Sequence, residues 1–272
     1  KCKEVPRWYK YNGKGPGVKQ SMTETYIPDF IKNGGDLIYN SNVEKIKKIG
    51  KSNVVQVLSG GVSIEYQCDF LFICAGAIDT PFILQKSGYR GLIGKGLKTH
   101  PSFKFTALFN ENIFSKESSL GLHQINEFSP KILMGSSVSN KSYIGLALKE
   151  SNSLSEIDKW KKMSNYYTMI SPEGEGQVLK LPFLNSPIVK HRLTKNDYYQ
   201  IHKGIYLLAK LLFESGAVKL YPSINKSLII NKLEDIYKLR IIPNKYLKLM
   251  TIHLFSSVQL SGNKNQGPLS PE

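Results

Sequence analysis

The sequence predicts an α/β arrangement over residues 21–100, followed by an α+β arrangement built on an antiparallel sheet. Three observations carry this prediction. An apolar run of strand length, residues 69–74, ends in the small-residue turn Ala75-Gly76-Ala77, and a short apolar helix pattern follows it. A hairpin pattern precedes that run, and several alternating segments and one long amphipathic helix come after it.

The first element of the α/β part is a helix. Ser21 and Glu24 have the spacing of a capping box, and the apolar residues that follow recur at helical spacing. Pro28 predicts either a kink or a later start of this helix. A strand is then expected to begin at residues 36–39 and to continue through Val43.

A β-hairpin is predicted next. Residues 54–57 and 62–66 are strand-like segments, and Gly60-Gly61 between them suits a tight turn with positive φ angles. The apolar run at 69–74 is the following strand. Cys74 lies in this strand and is therefore expected to be a buried small hydrophobe.

The α+β part is predicted to contain an antiparallel sheet with flanking helices. Its strands are expected at residues 103–109, 143–148, 166–170 and 176–180, with a short helix within 151–163. Thr194 and Asp197 form a second capping box, and apolar residues then recur every three to four positions up to Gly216. This segment has the strongest helix pattern in the chain.

Composition excludes several classes of function. The formal net charge is +16, but the basic residues are dispersed and form no block typical of nucleic-acid binding, so no nucleic-acid partner is expected. The 272 residues contain no apolar run long enough for a membrane span, no His or Cys cluster for a metal and no Gly-x-Ser-x-Gly motif. Three cysteines predict no disulfide framework and leave the compartment open.

The small-residue turn at Ala75-Gly76-Ala77 has two interpretations. A strand that enters a helix through such a turn lets backbone N–H groups approach a ligand, often a phosphate. The same residues also allow close packing of a helix on a strand, and both interpretations stay open on the local pattern alone.

Several motifs in order resemble the glucose–methanol–choline (GMC) flavin oxidoreductases. Residues 76–88 resemble the second signature of that family, in which a Ser/Thr-Pro step and a Ser-Gly pair follow Ala-Gly-Ala. The other matching segments are residues 19–28, 93–101, 185–197, 216–222 and 253–261. The last of these resembles the family motif His-x-x-Gly-Thr-Cys-x-Met-Gly, with Val258, Leu260 and Ser261 replacing Cys, Met and Gly.

The resemblance implies an FAD-dependent alcohol dehydrogenase or oxidase that acts on the CH–OH group of an alcohol, sugar or polyol. His253 corresponds to the base that removes the hydroxyl proton, and a histidine suits this role because its pKa lies near neutrality. On the residues alone, the favoured interpretation of His253 is a histidine satisfied by packing at a strand end. The implied acceptor of electrons is oxygen, a quinone or a protein such as a cytochrome.

The resemblance also assigns cofactor contacts and domains. Ala75, Gly76 and Ala77 correspond to the turn beside the ADP part of FAD, and the backbone of Val43 to the adenine contact. For Val43 the alternative is an ordinary strand residue. Residues 1–101 would form part of a flavin domain with a mixed sheet, 102–250 the substrate domain and 251–272 the start of the return to the flavin domain.

One family element is absent from the sequence. None of the 22 glycines forms a G-x-G-x-x-G turn that opens a helix near the start of the chain. The resemblance therefore covers the central and C-terminal part of such an enzyme. The alternative is a catalytically inactive fragment, or one half of a split enzyme that needs a separate FAD-binding partner.

Overall fold

The computed structural model describes residues 21–113, 124–263 and 266–270. Residues 19–20 of the family-like segment 19–28 lie outside them. The described helices are α1 (Tyr26–Lys32), α2 (Gly76–Lys86), α3 (Lys141–Glu150) and α4 (Lys195–Glu214). The described strands are β1 (Ser41–Ile49), β2 (Ser52–Ser59), β3 (Val62–Cys68), β4 (Lys95–Thr99), β5 (Ser102–Phe109), β6 (Gln124–Ile125), β7 (Ile132–Ser136), β8 (Met163–Ile170), β9 (Gly176–Leu179), β10 (Ile188–His191), β11 (Ala217–Pro222) and β12 (Leu254–Phe255).

The chain divides into two compact units. The first unit takes its described residues from 1–34, 101–171 and 195–251, and the second from 35–100, 172–194 and 252–272. Four short 3₁₀ helices complete the described elements: Met22–Glu24, Leu154–Lys162, Leu233–Leu239 and Asn244–Tyr246. Over the described residues, no helix combines the length and the apolar character that crossing a bilayer requires.

The first unit is built on a five-stranded antiparallel sheet. Its strand order is β11-β5-β8-β7-β6, and α4 packs against β8, β7, β11 and β5. The predicted helix after Thr194 is confirmed, since α4 runs from Lys195 to Glu214 and ends before Gly216, whose φ is +95°. Its buried residues recur at helical spacing and include Ile201, Ile205 and Leu208. The predicted strands at 103–109 and 166–170 are also confirmed.

Helix α4 approaches the sheet closely at Gly204. A Cβ built at this glycine would lie 2.4 Å from Oγ1 of Thr168 on β8 and 3.2 Å from Cγ2 of Ile132 on β7. Thr168 is itself buried and β-branched, so its side chain has little freedom to move away. The hydrogen atom of glycine is therefore what allows this helix to lie on these strands.

The strand predicted at 143–148 is wrong, because this segment lies inside helix α3. Ile144 and Leu148 are fully buried, whereas Leu146 between them is 56% exposed. Positions four residues apart lie on one face of a helix. The prediction failed because Leu146 is also apolar, so the sequence did not show which residues are buried. The side chain of Asn140 caps the helix by accepting a hydrogen bond of 3.0 Å from the N–H of Tyr143.

The second unit contains two antiparallel sheets. One has the order β1-β2-β3, and the other has the order β10-β9-β4-β12. The predicted hairpin is confirmed: β2 and β3 pair through a turn in which Gly60 and Gly61 have φ angles of 56° and 85°. The strand predicted at 176–180 is confirmed as β9. Helix α2 packs against β1, β9 and β12.

Two strand predictions for the second unit differ from the structure: the strand through Val43 begins only at Ser41, as β1, and the apolar run at 69–74 is not a strand. Residues 36–39 and 69–74 are outside every described strand, and every named ladder is antiparallel, so the described residues do not form the expected mixed sheet. Phe70 and Phe72 are 83% and 85% exposed. Cys74 is exposed as well, which contradicts the predicted burial. An apolar run becomes a buried strand only where neighbouring strands and a helix cover it.

The predicted capping box at Ser21 is also wrong. The Ser21 side chain bonds to Oγ1 of Thr23 rather than to the backbone of Glu24, and a 3₁₀ turn follows it. Helix α1 begins at Tyr26, which is the later start that Pro28 allowed. Pro28 falls in the first turn of α1, where its missing N–H leaves no helical hydrogen bond unmade.

We expect Gly204→Ala to lower the free energy of unfolding by about 1–3 kcal/mol, because the added methyl group forces Thr168 or the helix to move. The matched control is Gly145→Ala in α3, where the new Cβ would lie 3.4 Å from Ile157 Cδ1, an ordinary contact. This control should raise the free energy of unfolding by about 0.5–1 kcal/mol through helix propensity. Urea unfolding measures both, and equal effects would contradict the close approach.

Candidate functional site

A short ladder between β4 and β12 brings two histidines together. Thr99 pairs with Leu254, and Lys98 pairs with Phe255. The next step along this antiparallel register places His100 opposite His253, and opposed residues project to the same face of a sheet. Their Nδ1 atoms lie 3.3 Å apart, and the two rings meet edge to face with centroids 5.4 Å apart.

The surroundings of the two histidines affect their charge. Burial and, to a smaller degree, the charge of His253 lower the pKa of His100. The ring of Phe255 packs against His100 at a centroid distance of 5.1 Å. The side chain of His253 is exposed and so is accessible to a small molecule. A lowered pKa favours the neutral form of His100, in which one ring nitrogen can accept a hydrogen bond.

The turn at Ala75-Gly76-Ala77 is open to solvent at its first two residues. Ala75 precedes helix α2, and Gly76 has a φ of +82°. A Cβ at Gly76 would meet no atom within 4 Å, so the glycine is required by its backbone conformation and not by lack of space. Ala75 at the N-cap of α2 has no side chain that could accept from the first N–H groups of the helix. Such N–H groups are the kind that bind an anionic ligand.

Ser257 ties the segment of His253 to this turn. Its hydroxyl is buried and donates a hydrogen bond of 2.6 Å to the carbonyl oxygen of Ala77. In a regular helix that carbonyl would accept from the residue four positions later, but this residue is Pro81, which has no N–H. The proline thus leaves a carbonyl for the serine, and two motifs 180 residues apart meet at one hydrogen bond.

Gln85 holds three further segments together from the buried face of α2. Its Nε2 donates to the carbonyl oxygens of Ile93 and Val178, both at 2.9 Å, and its Oε1 accepts from the N–H of Lys180 at 2.7 Å. Gly94 allows this packing, because a Cβ there would lie 2.3 Å from the Val178 oxygen and 2.5 Å from Nε2 of Gln85. The sequence pattern gave no signal for Gln85, since all its partners are backbone groups.

Val43 lies apart from these contacts, on the edge strand β1. The register of β1 against β2 shifts between Val43 and Lys45, which is a β-bulge. Bulges leave backbone groups without ladder partners, as an adenine contact through the backbone requires. Strand β1 is attached to the end of α2, where the Ser87 hydroxyl accepts from the N–H of Ile46 at 2.8 Å.

The structure therefore connects the segment of His253 to the predicted turn at one of its residues, Ala77. Ala77 bonds directly to Ser257, and His253 lies four residues before that serine. The sequence analysis assigned no role to His100 and missed its contact with His253. The signal was the position of each histidine directly beside a strand end. Within the described ranges no group of three or more His, Cys, Asp or Glu could hold a metal ion.

Comparison with known proteins identifies related sequences. The sequence model of the GMC oxidoreductase family matches residues 8–102. An uncharacterised GMC-type oxidoreductase of Sinorhizobium fredii is 36% identical over 251 residues, which are 89% of this chain and 50% of the relative. The chain thus spans about half the length of this relative. It spans a smaller share of the two relatives described next.

Two other relatives are more distant. An uncharacterised GMC-type oxidoreductase of Mycobacterium tuberculosis is 22% identical over 206 residues, covering 73% of this chain and 32% of the relative. The long-chain-alcohol oxidase of Arabidopsis thaliana is 21% identical over 233 residues, covering 75% of this chain and 30% of the relative. The similarity therefore extends beyond the segment that the family model matches.

We expect Gln85→Leu to lower the free energy of unfolding by about 2–4 kcal/mol, because it leaves buried backbone groups without partners at about 1–3 kcal/mol each. Gln56→Leu is the matched control, since its side chain makes one exposed hydrogen bond of 3.1 Å to Ser63. That change should cost less than about 0.5 kcal/mol. Urea unfolding compares the two variants, and similar costs would show that the three bonds of Gln85 do not stabilise the fold.

A double-mutant cycle tests the bond between Ser257 and Ala77. Ser257→Ala should lower the free energy of unfolding by about 1–2 kcal/mol in the natural sequence. In a Pro81→Ala background, the new N–H of residue 81 can donate to the Ala77 carbonyl. The cost of Ser257→Ala should then shrink by about 1 kcal/mol, and strictly additive effects would rule out the shared acceptor.

Proposed function

Because the chain belongs to the GMC oxidoreductase family, we propose that it carries the catalytic base and part of the FAD site of an oxidoreductase that acts on the CH–OH group of an alcohol, sugar or polyol. The observation that carries this proposal is the network that joins the Ala75-Gly76-Ala77 turn to the His253 segment through Ser257. The name of the Arabidopsis relative, a long-chain-alcohol oxidase, supports the class of substrate.

His253 is the proposed base. Its exposed imidazole can take the hydroxyl proton of the substrate, which leaves an alkoxide from which hydride departs more readily. FAD, when bound, supplies the hydride acceptor. The ladder between β4 and β12 fixes where the imidazole projects, and Ser257 fixes that ladder relative to helix α2. The protein thus contributes the position of the base.

The residues proposed to contact FAD fit such a group. The turn at Ala75 and Gly76 is exposed, has open space where a side chain at Gly76 would be, and leads directly into the N-terminus of α2. These are the properties that a negatively charged diphosphate requires of its neighbours. Val43 would add the backbone contact to adenine from the bulge of β1. We assign the second unit to the flavin domain and the first unit to the substrate domain.

A second candidate function is favoured by one observation. Two extended segments of the second unit expose large apolar side chains: Leu37 and Ile38 at 50%, Tyr39 at 77%, and Phe70 and Phe72 above 80%. Contiguous exposed apolar surface commonly marks a contact with further polypeptide. Under this alternative the chain is inactive alone and holds FAD only with a separate FAD-binding partner.

Anaerobic reduction of the flavin tests the role of His253. In the FAD-loaded protein, a panel of long-chain alcohols, sugars and polyols should include a compound that bleaches the visible flavin absorbance. His253→Gln should keep the flavin but slow the bleaching by about 10²–10⁴-fold, as the loss of a general base does. The control is His202→Gln, because His202 is bonded to Asn244 in the first unit.

The result for each arm is decisive. An unchanged bleaching rate in His253→Gln would contradict the role of His253 as the base. A slower rate in both His253→Gln and His202→Gln would indicate a general defect of the protein. Loading the chain with FAD and passing it through gel filtration separates the two candidate functions. Retained flavin supports the first, and a protein that stays colourless supports the second.

A further inference from the structure

The contact between the two histidines suggests a role for His100 that neither the sequence nor the comparisons assign. We propose that His100 is a positioning residue that accepts a hydrogen bond from the Nδ1–H of His253 and so keeps the Nε2 of His253 unprotonated, as a base requires. The purpose of this arrangement rests on the proposed function of His253. The contact between the two Nδ1 atoms rests on the geometry alone, and the choice of His253 as its donor also draws on the proposed function.

The geometry allows one shared proton between the two rings. The Nδ1 atoms are 3.3 Å apart, so one of them must donate and the other must accept. If His100 donated, His253 would carry its own proton on Nε2 and could not take another there. If His253 donates, its Nε2 keeps a lone pair that faces away from the pair.

The charged state of the base selects the second arrangement. When His253 takes the alcohol proton at Nε2, the ring becomes an imidazolium and both of its nitrogens must donate. Nδ1 of His100 can then only accept across the 3.3 Å contact. The same hydrogen bond thus exists before and after proton uptake, and the rings need not reorient during the reaction.

The environment of His100 supports its role as acceptor. Burial and, to a smaller degree, the charge of His253 lower the pKa of His100, which favours the neutral ring that an acceptor must be. The titratable group that acts on His100 across the ladder is His253, and the ring of Phe255 that packs against it does not titrate. The antiparallel register holds both rings on one face.

Nitrogen-15 spectroscopy of the histidine rings tests the proposal in the complete chain without flavin or alcohol. At about pH 8, where a histidine with an ordinary pKa is neutral, long-range proton–nitrogen correlations separate the two tautomers of each ring. We expect the Nδ1–H tautomer to predominate for His253. His100→Phe should shift that population toward Nε2–H, whereas His100→Gln should preserve it, because the amide oxygen can accept the bond.

Two further measurements complete the test. In His253→Gln the pKa of His100 should rise toward the ordinary value, because the neighbouring positive charge is removed. In the bleaching assay His100→Phe should slow the reaction at least about tenfold, because the base then adopts the wrong tautomer. His100→Gln should retain most of the rate, because its amide oxygen can still accept the hydrogen bond. His202→Gln serves again as the control for loss of one imidazole.

Each outcome bears on the proposal. An Nε2–H tautomer of His253 in the natural sequence, or a tautomer that His100→Phe does not alter, overturns it. The tautomer of His253 in the natural sequence is measured without any variant, so this part of the test remains decisive even if His100→Phe fails to fold. A correct tautomer with normal bleaching in His253→Gln would instead overturn the proposed function of His253, so the two failures are distinguishable.

Discussion

The hydrogen bond from Ser257 to the carbonyl of Ala77 is the contact on which the second unit depends. It exists because Pro81 cannot occupy that carbonyl from within the helix. The bond joins a turn near the start of α2 to a segment at the far end of the chain. Around it, the N–H of Gly94 donates to the Ser257 carbonyl at 2.8 Å, and the carbonyl of Gly94 accepts from Val178 at 2.7 Å. These hydrogen bonds join the start of α2, Gly94, Val178 and Ser257, which are distant in sequence, within the second unit.

Local elements were predictable from the sequence because their causes are local. Helix α4 follows from apolar spacing, and the β2–β3 hairpin follows from Gly60 and Gly61. Strand predictions failed where the outcome depends on neighbours. Residues 143–148 form helix because Ile144 and Leu148 share one buried face. Residues 69–74 remain outside the described sheets because burial, which would make an apolar run a strand, comes from other parts of a protein.

The candidate site was predictable only in part. The family resemblance identified His253 and the Ala75-Gly76-Ala77 turn, since side-chain identity carries that signal. It could not identify Gln85, whose three partners are backbone atoms, or the contact of His100 with His253. Such contacts are set by sheet register and by packing between distant segments, and a single sequence records neither. The geometry therefore supplies the partners, and the resemblance supplies the chemistry.

The shortness of β12 has a consequence for the position of His253. A strand of two residues, Leu254 and Phe255, contains too few side chains to specify its own alignment. Because neighbouring residues in a strand point to opposite faces, a slip of one position would carry the imidazole to the wrong side of the sheet. Two hydrogen bonds hold the chain just after the strand: the Ser257 hydroxyl donates to Ala77, and the Gly94 N–H donates to the Ser257 carbonyl. They fix which side chains of β12 point to which face of the sheet. The orientation of the proposed base therefore depends on two hydrogen bonds made outside the strand.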